Sequence, residues 1–288
     1  HESTNYEYNI MYAFKTNLVT DGGTELNNGS TVVSANSYTL DWGLESYFGN
    51  ISYDYSGKYL LTANVRRDGS SRFKLDDKKW GTFGSVGLGW VVSREEFMKN
   101  NSLFSNLKLK TSYGLVGDQA GVGYYPGYNT YEIFPLNGET ATPYNNVGYP
   151  LLTWEKAKTF QTELEFSLFK KRIIEGSVAF YSKTTDNLIF DRRTPTSLGY
   201  AIDKTNDGKL LNQGIEFTIN ANILRTENAY ISLGINGELL KNKLTRMPID
   251  PSTSLEKTID VQGLYGWAEG KSIYDFYLQE WAGVNQQN

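Results

Sequence analysis

Residues 45–65 read Glu45-Ser46-Tyr47-Phe48-Gly49-Asn50-Ile51-Ser52-Tyr53-Asp54-Tyr55-Ser56-Gly57-Lys58-Tyr59-Leu60-Leu61-Thr62-Ala63-Asn64-Val65. In the first half, the odd positions Glu45, Tyr47, Gly49, Ile51, Tyr53 and Tyr55 are mostly aromatic or apolar. The even positions Ser46, Phe48, Asn50, Ser52 and Asp54 are mostly small and polar. After Ser56-Gly57-Lys58 the alternation resumes, with Tyr59, Leu61, Ala63 and Val65 against Leu60, Thr62, Asn64 and Arg66. A period of two belongs to a strand, whose side chains point to opposite faces in turn. Two such runs joined by a Gly-containing turn predict a β-hairpin.

The same rhythm recurs downstream. Val86, Leu88 and Trp90 alternate with Ser85, Gly87 and Gly89, and Leu107 to Leu115 alternate with Lys108, Lys110, Ser112 and Gly114. Phe160 to Leu168, Ile174 to Phe180, Ile215 to Ala221 and Ile231 to Ile235 repeat it. This predicts about nine or ten strands, several longer than the roughly 5–6 residues usual in globular sheets. Short connections at 56–58 and 170–172 contrast with long, turn-rich ones at 67–79, 117–152, 190–212 and roughly 241–270. Ser93-Arg94-Glu95-Glu96-Phe97-Met98 has the spacing of a capping box and predicts a turn or two of helix.

Composition narrows the function classes. Of 288 residues, 39% are hydrophobic, and 21 Tyr, 14 Phe and 6 Trp are too many for a disordered chain. Mean hydropathy is −0.46, and no run is long and apolar enough for a transmembrane helix. That test does not bear on a membrane β-barrel, whose strands alternate. With 28 Lys and Arg against 32 Asp and Glu, net charge is −4, and no basic field gathers nucleic acid. Cysteine is absent and His1 is the single histidine, which argues against thiol, histidine-centred and multi-histidine metal chemistry. The start lacks an initiator Met and an apolar leader, and 283–288 lack a terminal strand, so the chain reads as a segment of something longer.

The polar face is rich in Ser, Thr, Asn, Gln and Gly, as a wide polar lumen would be, whereas a sandwich exposed to bulk water favours Lys and Glu. Tyr47, Tyr53, Tyr55 and Tyr59 sit close to a turn, where an interfacial aromatic girdle belongs. From the residues alone, an antiparallel transmembrane β-barrel and a soluble β-sandwich, such as a carbohydrate-binding module, both remain open.

Leu44-Glu45-Ser46-Tyr47-Phe48, Lys58-Tyr59-Leu60-Leu61-Thr62-Ala63 and Arg66-Arg67-Asp68-Gly69-Ser70-Ser71-Arg72-Phe73 resemble the SusC/RagA family of TonB-dependent outer-membrane transporters. Trp80-Gly81-Thr82-Phe83, Leu107 to Gly114, Leu152-Thr153-Trp154-Glu155-Lys156, Asn212-Gln213-Gly214-Ile215-Glu216 and Gly270-Lys271-Ser272-Ile273-Tyr274 continue the resemblance in the same order. It implies an all-β fold, a portion of a plugged barrel of about 22 strands with long extracellular loops, in the bacterial outer membrane. It also implies a SusD-type lipoprotein over the mouth, energy from the TonB complex acting through a plug, and oligosaccharide cargo, with peptides in some members. The plug and the closing C-terminal strand have no counterpart here, so residues 1–288 are expected to be the middle part of the barrel.

Gly121-Val122-Gly123-Tyr124-Tyr125-Pro126-Gly127-Tyr128, continuing to Tyr131 and Phe134, concentrates aromatic rings in one loop. Such faces stack on sugar rings and lose little entropy on binding, so Tyr124, Tyr125, Tyr128 and Tyr131 are candidates for cargo or partner contact; self-packing of the loop is the plainer reading. Arg66, Arg67, Asp68 and Arg72 have guanidinium groups suited to carboxylates or sugar hydroxyls, or to bracing the loop against the wall. Asp203-Lys204-Thr205-Asn206-Asp207-Gly208 begins like a calcium loop, but Gly214 stands where the bidentate Glu belongs, which points to an Asx-rich turn. Glu163 and Glu165 share one strand face about 7 Å apart, a glycosidase-like spacing, yet their regular alternation with Phe and Leu suits lumen-facing acids. No enzyme activity, metal or cofactor is expected.

Overall fold

The computed structural model describes residues 2–14, 31–142, 144–169, 173–193, 202–225, 229–250 and 252–283. The predicted turn at 170–172 and the terminal residues 284–288 lie outside the described residues. Nine strands form one sheet: β1 (Glu2–Phe14), β2 (Thr31–Tyr55), β3 (Tyr59–Ser70), β4 (Trp80–Val91), β5 (Phe104–Asp118), β6 (Glu155–Leu168), β7 (Ile174–Arg193), β8 (Ile202–Arg225) and β9 (Tyr230–Arg246). Each strand pairs antiparallel with its neighbour in the chain, so the sheet is a simple meander. Strands β1 and β9 do not pair, and the sheet is open. The other sheets among the described residues are two-stranded ribbons, too small to cover it, so the β-sandwich is excluded.

The β2–β3 connection shows why the meander forms. Lys58 N donates to Tyr55 O at 3.0 Å, and Ser56 and Gly57 both have positive φ. Positive φ at both central residues gives the primed turn whose twist matches that of the flanking strands, with Lys58 as a third residue before Tyr59 pairs with Tyr55. The cross-strand rows then follow. Ile51 opposes Ala63, which opposes Val86, then Tyr113, then Phe160. These residues share one face with Leu88, Leu109, Leu164, Val178, Phe180, Ile215, Ile219, Ile235 and Leu239, all exposed. Ile51 is 69% exposed in mid-strand. A face this broad and apolar is far beyond what a protein shows to water, so a nonpolar medium or partner must cover it.

The other face carries Ser46, Asn50, Asn64, Ser85, Ser112, Gln161 and Glu216. Here the Lys110 Nζ lies 3.0 Å from Glu163 and 3.1 Å from Glu165. The two acids spaced for glycosidase chemistry are thus tied by one lysine.

Aromatic residues bound the apolar face at both ends. At the tight-turn end, the Tyr55 and Tyr59 rings lie 6.4 Å apart. Glu95 accepts hydrogen bonds from Tyr59 Oη at 2.7 Å, Trp90 Nε1 at 3.1 Å and Lys58 Nζ at 3.2 Å. The expected capped helix is replaced by two 3-10 turns, Val92–Arg94 and Glu96–Met98, without side-chain caps. Glu95 is drawn sideways to the girdle, and Arg94 Nη1 reaches Gly57 O at 2.9 Å. At the loop end, Tyr47 stacks near Trp80 at 6.3 Å and the Arg67 guanidinium lies 5.4 Å over Trp80. Tyr47 therefore does not join the tyrosines near the turn but marks the opposite boundary. The separation from Tyr47 to Tyr55 is about 26 Å of strand, or roughly 20 Å of height at a barrel tilt.

The strands are staggered. The row that begins at Tyr55 and Tyr59 passes through Trp90, Leu109, Leu164 and Val178 to Phe217, well before β8 ends at Arg225. A register that steps steadily in one direction is the shear that tilts barrel strands. Several strands also overrun the band: β2, β8 and β7 have 25, 24 and 20 residues. Consequently the loop expected at 190–212 is mostly strand, and so is the start of the one at 241–270. Strand β1 and the first part of β2 precede the first predicted strand.

Ile51→Arg, at the middle of the apolar band, is expected to destabilise the full-length protein in bilayers by about 2–4 kcal/mol, read by denaturant unfolding. Thr62→Arg on the polar face should have little effect. Hydrogen bonds from Tyr59 first, then Trp90, hold the Glu95 carboxyl below its usual range. Its contribution is therefore present above the ordinary glutamate pKa of about 4.3 and is lost as pH falls through the lowered value. Melting of wild type and Glu95→Gln should converge at acid pH and separate near neutrality.

Candidate functional site

At the end of the sheet that carries the long connections, side chains gather into two buried clusters. The first contains Phe73, Phe83, Val122, Leu152 and Trp154, with Leu44, Leu115, Tyr149 and Ile189 against it. Trp154 is its hinge-pin. Its ring lies 5.3 Å from Phe73 and 5.4 Å from Phe83, the latter edge-on. The indole Nε1 donates to Lys79 O at 2.8 Å, and Thr153 Oγ1 to Lys78 O at 3.1 Å. Those carbonyls belong to the short helix α1 (Asp76–Lys79), whose last groups have no helical partner. The β3–β4 and β5–β6 connections are thereby joined.

The β5–β6 connection folds on itself. It holds two ribbons, Thr130–Tyr131 with Tyr144–Asn146 and Phe134–Leu136 with Glu139–Ala141. Tyr149 N donates to Pro126 O at 2.9 Å and Gly148 N to Asn129 Oδ1 at 3.0 Å. Gly148 lies so close to Tyr128 that an added Cβ would stand 2.4 Å from its backbone N and C.

Asn206, in β8, ties the β5–β6 connection to β7. Its Oδ1 accepts from Thr153 N at 2.7 Å, while Nδ2 donates to Thr153 O and Asn187 O, each at 2.9 Å. Residues 203–208 are therefore part of strand β8, not the Asx-rich turn the composition suggested, and the Asn206 amide is committed inside the protein. The Asp203 side chain lies outside the described residues. The second cluster, Phe190, Leu244 and Met247, is capped by Trp267, whose Nε1 donates to Ile273 O at 3.0 Å.

The structure separates the residues singled out from sequence. Arg66 and Asp68 face the polar side: Arg66 Nε lies 2.6 and 2.8 Å from the two Asp68 oxygens, and Nη2 donates to Ser46 Oγ at 3.0 Å. Arg67 faces the apolar side, over Trp80. Arg72 lies between Trp42 and Tyr124, 4.9 and 5.3 Å from their ring centres, and donates from Nη1 to Gln119 O at 3.2 Å. Tyr125 Oη accepts from Asp41 N at 3.0 Å, and Lys74 Nζ stands 5.5 Å over Tyr128. Tyr131 instead pairs with Tyr144 at 4.9 Å, and the hydrogen bond between them holds the Tyr131 hydroxyl above the usual phenol range. The Phe134 side chain lies outside the described residues.

Arg72, Tyr124, Tyr125 and Tyr128 thus come together, while Arg66 with Asp68, Arg67 and Tyr131 lie apart. The group is completed by a residue that sequence reasoning passed over, Trp42. With Asp41, Gly43, Ser71, Tyr125, Tyr128 and Asn129 it lines a groove of about 740 Å³. A lone Trp in an alternating strand carries no local sign of this role.

The family model for TonB-dependent receptor-like β-barrels matches residues 2–267, and the chain belongs to that family, whose barrels lie in the outer membrane. The TonB-dependent receptor SusC of Bacteroides thetaiotaomicron is 36% identical over 217 residues, covering 71% of this chain and 21% of that protein. TonB-dependent receptor P39 of Formosa agariphila is 31% identical over 286 residues, 98% of this chain and 26% of that protein. The chain therefore spans about a quarter of the length of the curated relatives it matches. In fold it is similar to the RagAB peptide transporter, with a TM-score of 0.82 at 23% identity, over 98% of this chain and 31% of that one. SusC/RagA-type membership and the partial barrel both follow.

Removing the Asn206 clasp should loosen the β5–β6 connection from strands β7 and β8. Asn206→Ala is expected to cost about 3 kcal/mol locally, and Asn206→Asp more, because a carboxylate would face the Thr153 and Asn187 carbonyls. Proteolytic cleavage within 119–154 of the full-length protein should quicken in that order.

Proposed function

We propose that this chain forms part of the wall of a TonB-dependent importer that carries glycan fragments across the bacterial outer membrane with a SusD-type surface lipoprotein. The observation that carries the reading is the groove walled by Trp42, Tyr125 and Tyr128, at the loop end of a sheet with one apolar and one polar face. Two-torsion aromatic side chains offer stacking faces to sugar rings at low entropic cost. Arg72, 4.9 Å from the Trp42 ring centre and 5.3 Å from that of Tyr124, braces the Trp42 side of the groove. Cargo would rest at this end under the lipoprotein, then pass inward along the polar face when TonB displaces a plug. Residues 1–288 supply a partial barrel; plug and remaining strands would belong to regions of the relatives that this chain does not span. No bond is made or broken, and no side chain here is assigned a catalytic role.

A second reading is peptide import, favoured by the likeness in fold to the RagAB peptide transporter. The native polypeptide should require detergent for extraction and should co-purify with a lipoprotein. Saturable binding of oligosaccharides but not of a mixed peptide digest supports the glycan reading. The reverse selects the peptide reading, and release of the intact protein by salt alone overturns both.

A further inference from the structure

Strands β4 and β5 pair from Val91 and Lys108 up to Gly84 and Leu115, then part. Beyond that point β4 continues only against β3, where Phe83 opposes Arg66 and Gly81 opposes Asp68. Strand β5 continues only against β6, where Val116 opposes Ala157 and Asp118 opposes Glu155. The fork leaves a cleft of about 370 Å³ in the wall, below the loop cluster. The edge-on Phe83 and Trp154 rings close its loop side, and Leu44, Leu115 and Val116 add apolar surface. Asn64, Arg66, Asp68 and Asp118 supply its polar groups.

We infer that this fork is a second glycan-binding station, on the polar face beneath the aromatic groove, for a neutral polyhydroxylated ring. The inference rests on the glycan-import reading. Arg66 uses Nε and Nη2 on Asp68 and Ser46, and none of the described residues engages its Nη1. Asp118 Oδ1 accepts from Ala120 N at 2.7 Å, while Oδ2 has no partner among the described residues. Asn64 Nδ2 donates to Ser85 Oγ at 2.6 Å, which leaves its amide oxygen, and Gln119 Oε1 is buried with no donor. A donor and several acceptors therefore gather in a cleft lined by Leu115 and Val116 and closed by the buried Phe83 and Trp154. Hydroxyls both donate and accept, and the C–H face of a sugar ring packs on apolar carbon, offered here by the exposed Val116, so this chemistry suits a pyranose. Asp68 and Asp118 disfavour an anion, and Arg66 disfavours a cation. A peptide strand needs main-chain partners at regular spacing, whereas these groups are scattered side-chain tips.

The test uses the full-length transporter with its co-purifying partner, titrated calorimetrically with maltohexaose, laminarihexaose and a tryptic casein digest. Val116→Trp fills the cleft from an exposed position and is expected to weaken binding of the bound hexasaccharide about tenfold, or 1.4 kcal/mol. Asp118→Asn keeps the shape, changes the hydrogen-bonding pattern, and should give a smaller loss in the same direction. Heat-modified gel mobility checks folding, and Asp118→Asn carries the test if the tryptophan variant does not fold. Hexasaccharide binding unchanged in the folded variants overturns the station and leaves the import reading standing. Binding of the digest alone, or of no probe, by the wild type overturns the glycan reading and the station with it.

Discussion

The main-chain ladder between neighbouring strands is the interaction on which everything else in this molecule depends. Once the amide and carbonyl groups of a strand are engaged sideways, each side chain has only two directions left, and successive residues must take them in turn. A chain that alternates apolar and polar residues through strand after strand is thereby divided into a sheet with two unlike faces. Closure of such a ladder leaves no unsatisfied backbone group toward lipid, which is why barrels can cross a membrane at all. The sheet therefore lacks the inner packing layer of a soluble domain. Its apolar side chains, Ile51, Leu88, Leu164 and Leu239 among them, are exposed because the surrounding medium takes the place of a core.

True side-chain burial moves to the loop end. Phe73, Phe83, Leu152 and Trp154 are buried there, as are Phe190, Leu244 and Met247, each group drawn from segments far apart in the chain. Polar clasps complete the work: the Trp154 indole on Lys79 O, and the Asn206 amide on the Thr153 and Asn187 backbones. Connections between antiparallel strands are ordinarily the least ordered parts of a sheet. Packing them on one another produces a platform on which an aromatic groove can hold its shape.

The polar face is quieter but organised. The Lys110 ammonium between Glu163 and Glu165 bridges a pair of like charges into a triad with one net negative charge. Arg66 is locked to Asp68 in the same manner. Small residues such as Ser85, Gly87 and Ser112 keep this face open.

Much of this was legible in the residues. Alternation at Tyr47 to Val65 located a hairpin, its Ser56-Gly57 turn and the sign of each face, because period two is a local property of the strand. The same signal ran through Tyr6, Tyr8, Ile10 and Tyr12, where β1 forms, but a polar start obscured it. The aromatic loop and the arginine-rich turn also stood out, since composition is visible wherever it is concentrated. What composition could not convey was partnership. Ser93 to Met98 had the letters of a helix cap, yet the two 3-10 turns there carry no side-chain cap, and Glu95 between them is taken by Tyr59 and Trp90 of neighbouring strands. Asn206 looked like part of a turn, yet it clasps two other segments. Trp42 carried no local mark, and only the return of Arg72 to its ring and of Tyr125 and Tyr128 to the same groove makes it part of a site. The sequence by itself determined the strands and their two faces, because those depend on contacts between near neighbours. The groove, the clasp and the fork between β4 and β5 were decided by tertiary structure alone, because they depend on register and on residues brought together from distant connections.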